Sequence, residues 1–270
     1  MKTRIARTVA SLAVLLMCAL SFALDAPAAH ATFIFSPGAQ TSVEGNGNNA
    51  FPFNIGGFGI SSMRYQQVYA ASDFSSLLVP QLITQIAFRP DASFGAAFTS
   101  TLSDIQINLS TTTAAPDGLS STFSNNVGLN DTIVYNRGPL ALSSANTGPA
   151  GGPKDFDILI NLNTPFLYNP SAGNLLLDVR NFGGGRTTTF DAENTTGDSV
   201  SRVRSSDVNS TTADANNSIG LVTRFTTQEV VPAPEPGTMS LMLIGLASLG
   251  ATTRKRLKNA TPEADETATA

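Results

Sequence analysis

The sequence predicts an all-β protein: an antiparallel β-sandwich, jelly-roll-like, flanked by an N-terminal signal helix and a C-terminal transmembrane helix. Three observations predict it. Short apolar runs of strand length are separated by clusters of Gly, Pro, Asn and Asp. Several of these runs alternate strictly between apolar and polar residues, and between the two ends of the chain no segment has a strong helical period.

Taken in order, residues 1–31 read as a secretory signal. Lys2, Arg4 and Arg7 form a basic start, Val9 to Leu24 an apolar centre, and Ala29-His30-Ala31 the small-x-small pattern that signal peptidase accepts. Cleavage is expected before Thr32. Residues 32–54, rich in Gly, Asn and Pro, form an extended lead-in, and 55–230 form the sandwich.

Within the sandwich the alternation is plainest in three runs. Ile105, Ile107 and Leu109 face a core while Asp104, Gln106, Asn108 and Ser110 face water. Phe156, Ile158, Ile160 and Leu162 repeat the pattern against Asp155, Asp157, Asn161 and Asn163. In "GNLLLDVRNF", Leu175, Leu177 and Val179 oppose Asn174, Asp178 and Arg180. One wet and one dry face per strand marks an antiparallel sheet, and roughly ten such strands make two packed layers. "MRYQQVYAASDFSSLL" has room for a turn or two of helix. No internal repeat continues far enough to indicate an array.

Removal of the signal changes the chemistry available. The only cysteine, Cys18, and the only histidine, His30, both lie within residues 1–31. The mature chain therefore has no disulfide and no imidazole, which excludes Ser-His-Asp and Cys-His catalysis and zinc sites built from His or Cys. Charged residues are 13% of the chain, about half the usual share, with Ser, Thr and Asn in their place, as suits an extracellular β-protein. Residues 32–230 hold 9 Lys+Arg and 15 Asp+Glu, a balance of 9 − 15 = −6. An acidic exterior without basic runs argues against nucleic acid, whose phosphates need clustered Arg and Lys.

A few constellations could carry chemistry. Asp155 and Asp157, two apart on an expected strand, would share a face, where paired carboxylates could hold Ca²⁺ or act as the acid and base of a glycosidase. Two solvated charges beside Lys154 are the simpler reading. "DAENTTGD" (Asp191, Glu193, Asp198) has the density of a calcium loop without EF-hand spacing. "NFGGGRTTTF" lacks the context of a phosphate loop and reads as a hairpin tip, and the triplets Thr111 to Thr113 and Thr187 to Thr189 are too isolated for an ice-binding face. Sugar stacking would have to use Phe or one of four Tyr, since Trp is absent. These residues assign no catalytic side chain, cofactor or metal ligand.

The C-terminus is more specific. Pro234, Glu235 and Pro236 precede Gly237 and Thr238, and the apolar run Met239 to Ala251 follows. As a helix it would be about 20 Å long, against a hydrocarbon core of about 30 Å, so it forms a marginal span. Arg254, Lys255, Arg256 and Lys258 then stop transfer on the cytoplasmic side. Residues 259–270 read as a disordered tail.

Residues 231–258 resemble the PEP-CTERM sorting signal. The resemblance implies an exported bacterial protein, transiently anchored in the inner membrane, then released to the cell surface or a polysaccharide-rich biofilm matrix. Its implied partners are signal peptidase and an exosortase, a membrane protease that cuts near the Pro-Glu-Pro. "RYQQVY", "ITQIAFRPD" and "FLYNPSAGNLLLDV" resemble uncharacterised sandwich domains found ahead of such tails. The expected protein is non-enzymatic. The alternative is a module binding extracellular polysaccharide; a carboxylate-dependent glycan hydrolase and an ice-binding protein rank lower.

Overall fold

The structure, a computed structural model, describes residues 31–230 and Gly245. The predicted signal and transmembrane helices and the tail 259–270 lie outside the described residues. So do Ala29, Pro234, Glu235, Pro236, Arg254, Lys255, Arg256 and Lys258. Among the described residues no helix is long and apolar enough to cross a membrane.

Residues 31–230 are built of strands and short 3-10 turns. The strands are β1 (Ala31–Ser36), β2 (Gly47–Asn49), β3 (Met63–Tyr69), β4 (Gln81–Phe88), β5 (Phe98–Thr112), β6 (Thr132–Ser144) and β7 (Ile158–Tyr168). There follow β8 (Asn174–Asn181), β9 (Phe190–Glu193), β10 (Val200–Ser205), β11 (Ala215–Asn217), β12 (Gly220–Leu221) and β13 (Thr223–Glu229). One layer runs β1-β13-β4-β7, the other β11-β10-β3-β8-β5-β6, and β12-β9-β2 form a small third sheet. All pairs are antiparallel. Counted without β2 and β9 to β12, the layers run first-eighth-third-sixth and second-seventh-fourth-fifth. Early and late strands thus alternate in each layer, as in a jelly roll.

The layers meet through their apolar faces. Ile105, Ile107 and Leu109 are fully buried on β5, as are Ile158 and Ile160 on β7, so the alternation in these runs places the core. Tyr69 of β3 meets Phe225 of β13 edge-on at 5.0 Å, and Phe74 meets Tyr168 at 4.9 Å. Phe74 ends a single 3-10 turn, Ala71–Phe74; the rest of the stretch with room for helix is strand β3 and loop. The buried Gln67 side chain is matched on both sides: its amide donates to the Leu221 carbonyl and its oxygen accepts from the Leu221 N–H, at 2.9 and 2.8 Å.

The six-stranded layer differs from the simple wet-and-dry expectation. Val68, Leu176 and Val203 point away from the main core, yet they are buried beneath Leu119 and Phe123 of the β5–β6 connection. Asp178, expected to face water, is also covered there. Its carboxylate accepts from the Arg64 guanidinium at 2.6 Å and the Gln66 amide at 2.8 Å. A second small core thus seals the outer face of β3 and β8, and both read as nearly continuous burial.

Residues 32–54 contribute β1 and β2 to the sheets. Along β1, Ala31 to Ser36 pair with Gln228 to Thr223 of β13. The triple glycine is not a hairpin tip, because β8 and β9 belong to different sheets. It packs against the body, where the Gly185 carbonyl accepts from the Gly56 N–H at 2.7 Å.

Candidate functional site

The sequence expects Asp155 and Asp157 to share the face of a strand. β7 begins only at Ile158, so both lie in the loop before it and are directed to different partners. Asp155 accepts from the Thr147 hydroxyl at 2.7 Å, and Asp157 accepts from the Ala145 N–H at 2.8 Å. They pin the loop between β6 and β7, and the shared-face geometry required of an acid–base couple is not formed. The threonine triplets do not form exposed ranks either: Thr112 and Thr188 are buried and accept from the N–H groups of Ala114 and Ala96.

The acids of "DAENTTGD" also separate. Glu193 accepts from the Gln40 amide and the Thr195 hydroxyl, and Asp198 caps the Val200 N–H at 2.8 Å. Asp191 instead turns into the body, where it joins Glu44 and Asp91; one carboxylate oxygen from each lies within 4.8 Å of the others. Arg89 closes the group. Its Nε donates to Asp191 at 2.7 Å, its Nη2 to the Val43 carbonyl at 2.6 Å, and its plane lies 4.9 Å from the Phe156 ring centre.

Local chain geometry assembles this group. Asp91 follows Pro90 and folds over a turn, accepting from the N–H groups of Ser93 and Phe94 at 2.9 and 2.6 Å. Gly45 is required beside it: a Cβ there would collide with the Ala192 carbonyl, and its N–H donates to Asp191 at 3.0 Å. Glu44 accepts from the Ala92 N–H at 2.6 Å, while its other oxygen is buried without a hydrogen-bond partner. Burial pushes the Asp191 carboxyl up to about 7, with Arg89 opposing the rise and Glu44 adding to it. Burial also raises Glu44, against the Ala92 hydrogen bond and Arg89. Three carboxylates of this kind suit a hard cation such as Ca²⁺, although Arg89 already answers part of their charge.

On the other side of Arg89 lies a pocket of about 450 Å³. It opens on the outer face of the β1-β13-β4-β7 layer. Phe35 of β1 and Arg224 of β13, directly paired across the strands, line it together with Phe156 and Lys154 of the β6–β7 loop and Arg89. Phe156 packs edge-on against Phe35 at 5.4 Å. The Arg224 guanidinium lies over Phe33 at 4.7 Å and Phe156 at 5.6 Å. No carboxylate among the described residues reaches it, and its Nε is buried without a partner. The arrangement can offer cationic donors to an anion.

Arg89, Arg224, Glu44 and Asp91 were not singled out by the sequence. Arg224 does carry a faint signal, since it precedes the core residue Phe225 and so falls on an outward position of β13, whereas Arg89 lies just past the end of β4 and is buried.

Comparison with known protein families matches residues 232–256 to the PEP-CTERM protein-sorting motif. The match falls on the tail, in agreement with the resemblance at 231–258, and leaves the body unassigned. No curated protein matches the chain.

Proposed function

We propose, on the premise that residues 232–256 are a PEP-CTERM sorting motif, that the mature protein is a non-enzymatic constituent of the cell surface or extracellular matrix. The motif is the observation that carries the reading, because it marks an exported protein that is sorted by an exosortase through a transient C-terminal anchor. Signal peptidase acting after Ala31 would free the first strand, and exosortase acting near Pro234, Glu235 and Pro236 would free the last. The proposed stop-transfer group is Arg254, Lys255, Arg256 and Lys258.

The non-enzymatic part of the proposal is supported by the residues left to the mature chain. It has no histidine or cysteine, and Asp155 and Asp157 are committed to holding a loop. Intact-mass spectrometry of protein recovered from its own host tests the sorting claim. A C-terminus at or near Pro234–Pro236 is expected, and secreted material that extends to Ala270 would sink it.

A second reading, a polysaccharide-binding module, is favoured by the pocket between Phe35, Phe156 and Arg224. Pull-down with extracellular polysaccharide from the same cells distinguishes the two: retention supports the module, and its absence leaves the structural role.

A further inference from the structure

We propose that the pocket on the outer face of the β1-β13-β4-β7 layer binds the anionic group of an extracellular glycan, a carboxylate or a sulfate ester, with Arg224 as the principal contact. The proposal deepens the polysaccharide-binding reading and rests on it.

The state of Arg224 carries the argument. Burial holds its pKa below the usual arginine value, its Nε has no acceptor, and no carboxylate among the described residues answers its charge. A desolvated donor left without an acceptor costs free energy in the free protein, and a ligand oxygen placed there recovers it. The planar guanidinium fork matches two oxygens of a carboxylate or sulfate, a pairing that a hydroxyl cannot reproduce.

Its neighbours add to the same polarity. Lys154 donates only to the Pro149 carbonyl, at 2.9 Å, and keeps its charge for the pocket. Asp155 also lines the pocket and has one oxygen held by the Thr147 hydroxyl, and the Arg89 charge is already met by Asp191, so Arg224 and Lys154 are the cations left to the pocket. Phe156 has guanidinium groups over its ring at 4.9 and 5.6 Å, from Arg89 and Arg224. Its ring is therefore occupied, and the pocket presents charge in place of a free platform for a neutral sugar.

The setting sharpens the choice of ligand. Residues 32–230 carry a balance of −6, so a polyanion is repelled by the body as a whole and can be held only where cations are gathered. A volume of about 450 Å³ lies within the usual range for small-molecule sites, enough for a sugar unit of a longer chain. An exported protein meets such anions on polymers outside the cell.

The test uses the mature chain from Thr32, with polygalacturonate as the carboxylate probe and dextran sulfate as the sulfate probe. Neutral dextran and polyglutamate serve as controls. Binding to one or both charged glycans is expected, weakening as salt rises. Arg224→Gln should weaken it about tenfold with an unchanged melting temperature. Lys154→Gln should weaken it less, and Arg137→Gln, at a cation on another face, should leave it as it was. The proposal is overturned by no binding to either charged glycan, by equal binding to dextran, by tighter binding to polyglutamate, or by equal losses in Arg224→Gln and Arg137→Gln. C-terminal mass of the Arg224→Gln chain in the host reports on sorting separately, so a failed pocket and a failed sorting assignment give different results.

Discussion

Arg89 and Asp191 are bonded to each other with side chains 1% and 0% exposed, joining the residue after β4 to the second residue of β9. The pair faces two ways: Glu44 and Asp91 lie on the Asp191 side and the Arg224 pocket on the Arg89 side. Its loss would disturb both.

Replacement of Asp191 by Ala is expected to destabilise the protein by about 3–5 kcal/mol, since it strands a buried guanidinium and the Gly45 N–H together. The Asp104–Arg137 pair is solvent-exposed, and Asp104→Ala should leave the urea midpoint where it is. Equal losses from the two variants would show that the buried pair is not special.

The raised Asp191 pKa gives a pH dependence with a definite sign. Burial lifts the folded value to about 7 from 3.8, so between those values the native state binds more protons than the unfolded chain. The stabilisation from this group is complete at low pH and is lost as pH rises through about 7. Glu44 shifts in the same direction. Urea midpoints across pH 5 to 8 should fall with pH in the wild type and fall less steeply in Asp191→Asn; a midpoint that rises with pH and is unaltered by Asp191→Asn would refute the assignment.

Leu176→Ala tests the second small core. Strict alternation would turn this residue outward, yet it is 1% exposed beneath the β5–β6 connection. A loss of about 2–5 kcal/mol is expected, as for a buried leucine, and a near-neutral variant would mean that the connection does not seal this face.

Processing at the two ends is separable. The mature N-terminus should be Thr32, read from the mass of the N-terminal peptide. Replacing Pro234, Glu235 and Pro236 by alanine together should leave full-length protein in the membrane fraction. Normal release of that variant would dismiss the Pro-Glu-Pro as the recognition element.

How much of this was legible follows from where each signal is written. Ile105, Ile107 and Leu109 declare a buried face because alternation is local, and every second residue reports on the same side of one strand. Leu176 and Asp178 mislead because their cover arrives from Leu119 and Phe123, in a connection without any period of its own. Asp155 and Asp157 mislead because strand β7 starts one residue beyond them. Glu44, Asp91 and Asp191 lie on three distant segments, and only the layered topology joins them. The tail was readable for the opposite reason: proline pair, apolar run and bases are contiguous in sequence.

The place of β13 also decides how the body takes tension. This strand ends at Glu229, just before the sorting tail, and has β1 on one side and β4 on the other. A pull from the tail along its axis therefore strains two hydrogen-bond ladders in shear, many bonds at once, while a pull from Thr32 acts on β1, which has a single neighbour in its layer. Arg224 stands on the pulled strand itself, so force between a captured polymer and the tail would run along β13 and spare the interior. In a single-molecule experiment, handles on Thr32 and Arg224 (as Arg224→Cys), at opposite ends of the β1–β13 ladder, should load it in shear and rupture at higher force than handles on Thr32 and Val230, at the same end. Until the tail is cut, a chain stretched between glycan and membrane would be a short tether with its strength in one strand.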